Sequence, residues 1–163
     1  MLSKVFEITG TTPIESYEKG VAAKFTRIDD KWGIKLYRNE YMRDKTYRFQ
    51  DLAHSIGCAP SLGDKFKVVL PDDREYHGYI TECISETFLK RHLNELGLES
   101  KSDLSSDEYY NILDEMEDDE EFKILCEEIN SIGISTNDMH ASNVGYLPNG
   151  KLVAIDFSHE HEE

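Results

Sequence analysis

The sequence predicts an α+β fold, and three observations carry the prediction. Segments with the alternation of half-buried strands fall in the first half of the chain and again near its end. A stretch of helical period interrupts the first set. A helical, acidic middle third separates that set from the last. At 163 residues the chain fits one compact domain, 1–163, or two small lobes sharing a cleft. Hydrophobic residues at 39% and aromatic residues at 10% supply a real core rather than a disordered chain.

Taken in order, Val5-Phe6-Glu7-Ile8 is a short strand candidate closed by Gly10. Residues Val21 to Ile28 alternate with period two, Asp29-Asp30-Lys31 supplies a turn, and Trp32 to Tyr37 returns as the second strand of a hairpin. From Glu40 to Ile56 the period becomes helical, with Met42, Lys45, Phe49, Leu52 and Ile56 on one stripe and Gly57 as the stop. Two further strands, Phe66 to Leu70 and His77 to Thr81, flank the turn Pro71-Asp72-Asp73. Glu86 to Leu98 reads as a helix. Ser105-Ser106-Asp107-Glu108 resembles a capping box that opens a helix through Met116. The acidic run Glu115 to Glu121 reads as a solvated helix joint, since the glycine and ligand spacing of a calcium loop are absent. A last helix, Phe122 to Ile132, keeps Phe122, Leu125, Ile129 and Ile132 on one side. Val144 to Leu147 and Lys151 to Ile155 then flank Pro148-Asn149-Gly150, and Asn-Gly is a strong hairpin signal.

Charge and cysteine content narrow the function classes. The formal net charge of −15, from 33 acids against 18 bases, repels nucleic acid and anionic membrane surfaces. That charge serves solubility, or attracts a basic or metal-loaded partner such as a nucleotide carrying magnesium. Cys58, Cys83 and Cys126 lack metal or disulfide spacing and suit a reducing cytoplasm. No stretch reads as a signal peptide or a membrane helix, so the expectation is a cytoplasmic protein.

The chemistry concentrates in Asn137-Asp138-Met139-His140-Ala141-Ser142-Asn143, followed by the hairpin and Asp156-Phe157-Ser158. Two carboxylates and an amide stand on loops at the ends of one short hairpin. Magnesium prefers such hard oxygens, usually taking one or two carboxylates plus substrate phosphates. A carboxylate outside the metal is then available to orient or deprotonate a hydroxyl. Each residue also has a plain reading: Lys35 as a solvent-facing strand lysine, Asp138 and Asn143 as turn residues.

This wording resembles the catalytic loop and metal loop of protein kinases, D-x-x-x-x-N, a hairpin, then D-F-G. Asp138 and Asn143 keep the five-position step, and Asp156 follows Asn143 by 13 positions. The local form D-x-H-x-x-N is similar to that of aminoglycoside- and choline-kinase-like phosphotransferases. Upstream, Gly33-Ile34-Lys35 looks like the V-A-I-K strand and Gly20-Val21 like the end of a Gly-rich loop. The strand ending at Glu82 lies where an adenine-accepting hinge begins.

The resemblance implies a protein-kinase-like fold. Its small antiparallel-sheet lobe with one helix would span 1–82, and a reduced helical lobe carrying the hairpin would span 83–163. It implies ATP and Mg2+ as cofactors. Lys35 would hold the phosphates, Asn143 and Asp156 the metal, and Asp138 the acceptor's proton, with Gly20, Val21, Gln50 and Glu82 completing the nucleotide site.

The departures are equally concrete. Only Gly20 remains of three loop glycines, Gln50 or Asp51 stands where a helix Glu should pair with Lys35, Thr136-Asn137 replaces His-Arg, and Ser158 replaces the D-F-G glycine. The sequence ends five residues after Ser158, so the expectation is that the substrate-binding helices of kinases are missing. Small size and that loss fit a phage gene. The tail His159 to Glu163 reads as a frayed end, or as two histidines for a metal. Two functions follow: a phosphotransferase acting on a hydroxyl of unknown identity, or a pseudokinase-like module acting through a protein partner. In either, a homodimer or a partner could supply the missing half. A third reading is a small acidic metal-binding protein with no nucleotide affinity.

Overall fold

The computed structural model describes residues 1–11, 18–19, 24–137 and 139–157. The chain divides into two compact units. One comprises Met1–Asp51 and Ser61–Cys83; the other comprises Leu52–Pro60 and the described residues from Ile84 onward.

The first unit is a five-stranded antiparallel sheet with helices α1 (Leu2–Thr11) and most of α2 (Glu40–Ser55). Strands β1 (Glu18–Lys19), β2 (Lys24–Arg27), β3 (Trp32–Tyr37), β4 (Leu62–Val69) and β5 (Glu75–Glu82) lie in the order β1-β2-β3-β5-β4. The predicted hairpin is β2 and β3, paired Phe25 to Lys35 and Thr26 to Ile34. Asp29 makes its turn: Oδ1 accepts from Lys31 N at 2.9 Å and Trp32 N at 2.8 Å. Those backbone donors hold its carboxyl below the usual aspartate range. The predicted strands at Phe66 and His77 are β4 and β5, longer than their sequence signals at one or both ends.

The sheet has two different faces. Ile34 and Leu36 of β3, Ile80 and Tyr76 of β5 and Phe66 of β4 share one face and form a core with Val5 of α1. Gly78 is required there. A Cβ on it would stand 2.6 Å from Phe66 Cζ and 2.7 Å from the Lys35 carbonyl. This corrects the strand expected at Val5–Ile8, which is part of α1. Leu2, Val5 and Ile8 recur at three-residue steps, and four apolar-rich residues are too few to separate the two periods.

Lys35, Tyr79 and Phe25 share the opposite face. Helix α2 forms as predicted, and Lys45 and Phe49 of the predicted stripe are buried, but the rest of the stripe differs. Leu52 and Ile56 are exposed, whereas Arg43, Thr46, Gln50 and Ala53 are buried. Arg43 and Gln50 are tolerated there because they are bonded, whereas Thr46 Oγ1 has no hydrogen-bond partner among the described residues. Arg43 Nη1 donates to the carbonyls of Phe66 and Gly78, and Arg43 Nε donates to Asp44.

The second unit carries a three-stranded sheet, β6 (Glu86–Thr87), β7 (Val144–Tyr146) and β8 (Leu152–Ala154), with helices α3 (Phe88–Glu95), α4 (Ser106–Asp118) and α5 (Glu120–Ser131). The helix expected from Glu86 starts at Phe88. Glu86 and Thr87 instead pair with Tyr146 and Gly145, and Thr87 caps the helix by accepting from Lys90 N at 3.0 Å. The predicted capping box is present, with Ser105 and Glu108 each accepting from the other's backbone N–H. The acidic run is a helix joint, where Asp119 ends α4 and caps α5 by accepting from Phe122 N. Gly57 ends α2 at φ 78°, and Gly150 turns the β7–β8 hairpin at φ 89°. The loop after α2 is anchored inside this unit. The Cys58 carbonyl accepts from Ala154 N at 2.9 Å, and its thiol donates to Glu128 Oε2 at 2.9 Å.

Candidate nucleotide and metal residues

Lys35 stands mid-strand on β3, between Phe25 of β2 and Tyr79 of β5. The sequence left Gln50 and Asp51 as alternatives opposite it. The structure brings Gln50 there, while Asp51 is exposed. Gln50, 0% exposed, accepts at Oε1 from the Tyr79 hydroxyl at 2.8 Å and from Lys35 Nζ at 3.5 Å. Its Nε2 donates to Thr81 Oγ1 at 2.8 Å. A neutral amide therefore links lysine, phenol and hydroxyl where an acid was expected. Tyr47 packs edge-on against Tyr79, 5.2 Å between centroids, and donates to the Gly63 carbonyl. Burial first, then the charges of Asp51 and Asp64, push its phenol up, so it remains a donor at neutral pH.

Glu82 ends β5. Its side chain accepts from Ser61 N at 3.2 Å and Ser61 Oγ at 3.4 Å, and its own N donates to the Ser61 carbonyl. The carboxylate is thus spent on closing the β4–β5 edge. Gly20 and Val21 lie outside the described residues, as does Asp138. The histidines of the tail lie outside them too.

Phe25 is a residue that sequence reasoning missed. Its ring lies over Gly33 on the Lys35 face, so that a Cβ at Gly33 would be 2.7 Å from ring carbons Cε2 and Cζ. The signal was available: a glycine stands where the V-A-I-K strand has alanine, and the hairpin register from the Asp29 turn pairs Phe25 with Lys35.

In the second unit the hairpin brings Asn143 and Asp156 to one end. Asn143 precedes β7 and Asp156 follows β8, and Ile155 N donates to the Asn143 carbonyl at 3.0 Å, extending the ladder past Val144 and Ala154. The approach to Asn143 is fixed by its backbone: Leu89 N at the start of α3 donates to the Ala141 carbonyl, and Asn143 N to the His140 carbonyl. Asn143 is 9% exposed, and its Nδ2 donates to His140 Nε2 at 3.1 Å. Phe157, next to Asp156, is buried. An amide oxygen and a carboxylate are the donor types a hard cation takes. Two of them suffice for magnesium, which keeps waters and substrate phosphates as its other ligands. Among the described residues no group of three His, Cys, Asp or Glu side chains gathers as a closed metal cage.

The antiparallel sheet unit with a lysine strand and an amide-bearing helix, and the helical unit with its Asn-hairpin-Asp, define an α+β, kinase-like fold. A solved structure of the bifunctional kinase-methyltransferase WbdD matches 84% of the chain with a TM-score of 0.52 at 12% identity. A co-crystal structure of WbdD with a kinase inhibitor covers 86% of the chain at 12% identity, with a TM-score of 0.48. The chain spans 29% of the first WbdD chain and 31% of the second. At this identity the likeness concerns the fold alone. No protein-family model and no curated protein matches the chain in sequence. Among the described residues, no helix is long and apolar enough to cross a membrane.

Proposed function

We propose that the chain binds ATP with Mg2+ and transfers a phosphoryl group to a hydroxyl acceptor. The observation that carries this reading is the presentation of Asn143 and Asp156 together at one end of the β7–β8 hairpin, in a kinase-like fold. Lys35 offers its charge to the α- and β-phosphates, with Gln50 Oε1 3.5 Å from its Nζ. Gly20 and Val21 would line the phosphates, and the hinge that begins at the strand end, Glu82, would meet the adenine. Asn143 and Asp156 would hold the magnesium, which, when bound, neutralises phosphate charge. Asp138 accepts the acceptor's hydroxyl proton as the new O–P bond forms and the bond to the leaving ADP breaks. Phosphoryl transfer asks mainly for positioning and charge neutralisation, so this small set suffices in principle.

A second reading is a non-catalytic, pseudokinase-like module that acts through a protein partner or a second copy of the chain. It is favoured by the neutral Gln50 where active kinases place an acid against the lysine.

Calorimetric titration with ATP, in magnesium and then in chelator, tests both readings on wild type and Asp156→Ala. Magnesium-dependent binding that the substitution abolishes, followed by phosphate release or transfer that Asp138→Ala removes, is the expected result. Binding indifferent to metal and to Asp156 overturns the phosphotransferase reading in favour of the module. No binding at all removes both nucleotide roles.

A further inference from the structure

An amide ligand differs from a carboxylate in having only one end that can take a cation. A half-turn about its last torsion exchanges oxygen for NH2 at almost no steric cost. If Asn143 holds a metal, something must set which end it presents. In the structure Asn143 Nδ2 lies 3.1 Å from His140 Nε2, and His140 Nδ1 lies 2.8 Å from Ser142 Oγ. An amide nitrogen only donates, so Nε2 accepts, the ring proton stands on Nδ1, and Ser142 Oγ accepts it. The chain of donors therefore runs one way, from Asn143 through His140 to Ser142. The backbone keeps the partners in register: Asn143 N donates to the His140 carbonyl at 2.8 Å, and the fully buried Ala141 is tied to Leu89.

We propose that His140 is a positioning residue that fixes the Asn143 amide with its nitrogen turned inward to the ring and its oxygen as the end offered to a cation. This rests on the reading of Asn143 as a metal ligand. The plain alternative is a loop histidine that stabilises its own turn. The two differ in one respect: an orienting role has no meaning once both ends of residue 143 are oxygen.

The test is calorimetric binding of ATP in the presence of Mg2+, compared with chelator, for the full chain carrying His140→Ala, His140→Gln, Asn143→Ala, Asn143→Asp and the double variant His140→Ala with Asn143→Asp. Circular dichroism confirms that each is folded. His140→Ala is expected to weaken magnesium-dependent binding roughly 10-fold, the low end for loss of a group that orients a metal ligand. Glutamine, whose side-chain oxygen reaches the place of Nε2, is expected to restore most of it. In the Asn143→Asp background His140→Ala is expected to change binding less than about twofold, since a carboxylate needs no orienting. Equal weakening in both backgrounds, or none in either, overturns the proposal. If Asn143→Ala weakens metal-dependent binding while His140→Ala does not, the inference alone fails. If Asn143→Ala leaves it intact, the ligand reading fails and the inference with it.

Discussion

Replacing Gln50 by alanine tests the polar network around Lys35. The side chain is 0% exposed and makes two hydrogen bonds of 2.8 Å, from the Tyr79 hydroxyl and to Thr81 Oγ1. Each is worth about 1 kcal/mol, and the 3.5 Å approach of Lys35 Nζ is too long to add much. Losing a buried methylene adds about 0.8 kcal/mol, so Gln50→Ala is expected to cost roughly 3 kcal/mol. Trp32 is the only tryptophan of the chain and stands on β3, so its fluorescence reports on the unit that holds the network. With a urea slope of about 1.5 kcal/mol/M the midpoint should fall by roughly 2 M. Tyr79→Phe removes one of the same bonds and should cost about 1 kcal/mol. The double variant should then fall short of the sum by about 1 kcal/mol, because the shared bond is lost only once. A loss below about 1 kcal/mol for Gln50→Ala, or strict additivity with Tyr79→Phe, would refute the network as the source of stability.

Two further expectations concern the second unit. Burial, reinforced by Glu128, pushes the Cys58 thiol up to about 12. At pH 8 only about one thiol in ten thousand is then the reactive thiolate, so iodoacetamide should modify Cys58 quickly in urea and hardly at all in the folded chain. Mass spectrometry showing equal rates would contradict the buried thiol–carboxylate contact. The Glu108 carboxyl is held below its usual range, first by the Ser105 backbone N–H and then by the Ser105 hydroxyl. A carboxyl depressed in the folded state stabilises above the ordinary value of 4.5, and that contribution fades as pH falls through the folded value. The melting temperature of Glu108→Gln should therefore lie below wild type at pH 7 and approach it near pH 3. A gap that stays constant over that range would show that the capping box does not titrate.

Where a segment's signal was local chemistry, the sequence was readable. Asp29 at the turn, Ser105 with Glu108, Gly57 and Gly150 each act through their own backbone neighbours, and each does in the structure what its spacing predicted. The failures were of another kind. Val5–Ile8 is helical because a helix lets Leu2, Val5 and Ile8 reach the same sheet face, a demand set by residues sixty positions downstream. On α2, counting apolar residues chose Leu52 and Ile56, both exposed, over Arg43 and Gln50, both buried. Hydrophobic period cannot see a polar side chain whose bonding groups arrive from other strands. Arg43 is buried because two strand carbonyls, those of Phe66 and Gly78, accept from it.

Gln50 stands where the sequence resemblance expects an acid to pair with Lys35. A carboxylate at that position would accept from Lys35 and from the Tyr79 hydroxyl, as the amide oxygen does. It would have no proton for Thr81. The Thr81 hydroxyl donates towards the Ser61 and Glu82 carbonyls at 3.4 Å, and it accepts from Gln50 Nε2 at 2.8 Å. The amide meets both hydroxyls as they stand, accepting from Tyr79 and donating to Thr81, whose own proton is then left for the two carbonyls. Gln50, Tyr79 and Thr81 form a set, visible only once β3 and β5 are aligned so that Lys35 meets Tyr79 and Gly33 meets Thr81. The neutral amide at this position therefore matches the hydroxyls around it. It leaves the charge of Lys35 unmatched by Gln50, where an acid would have offset it.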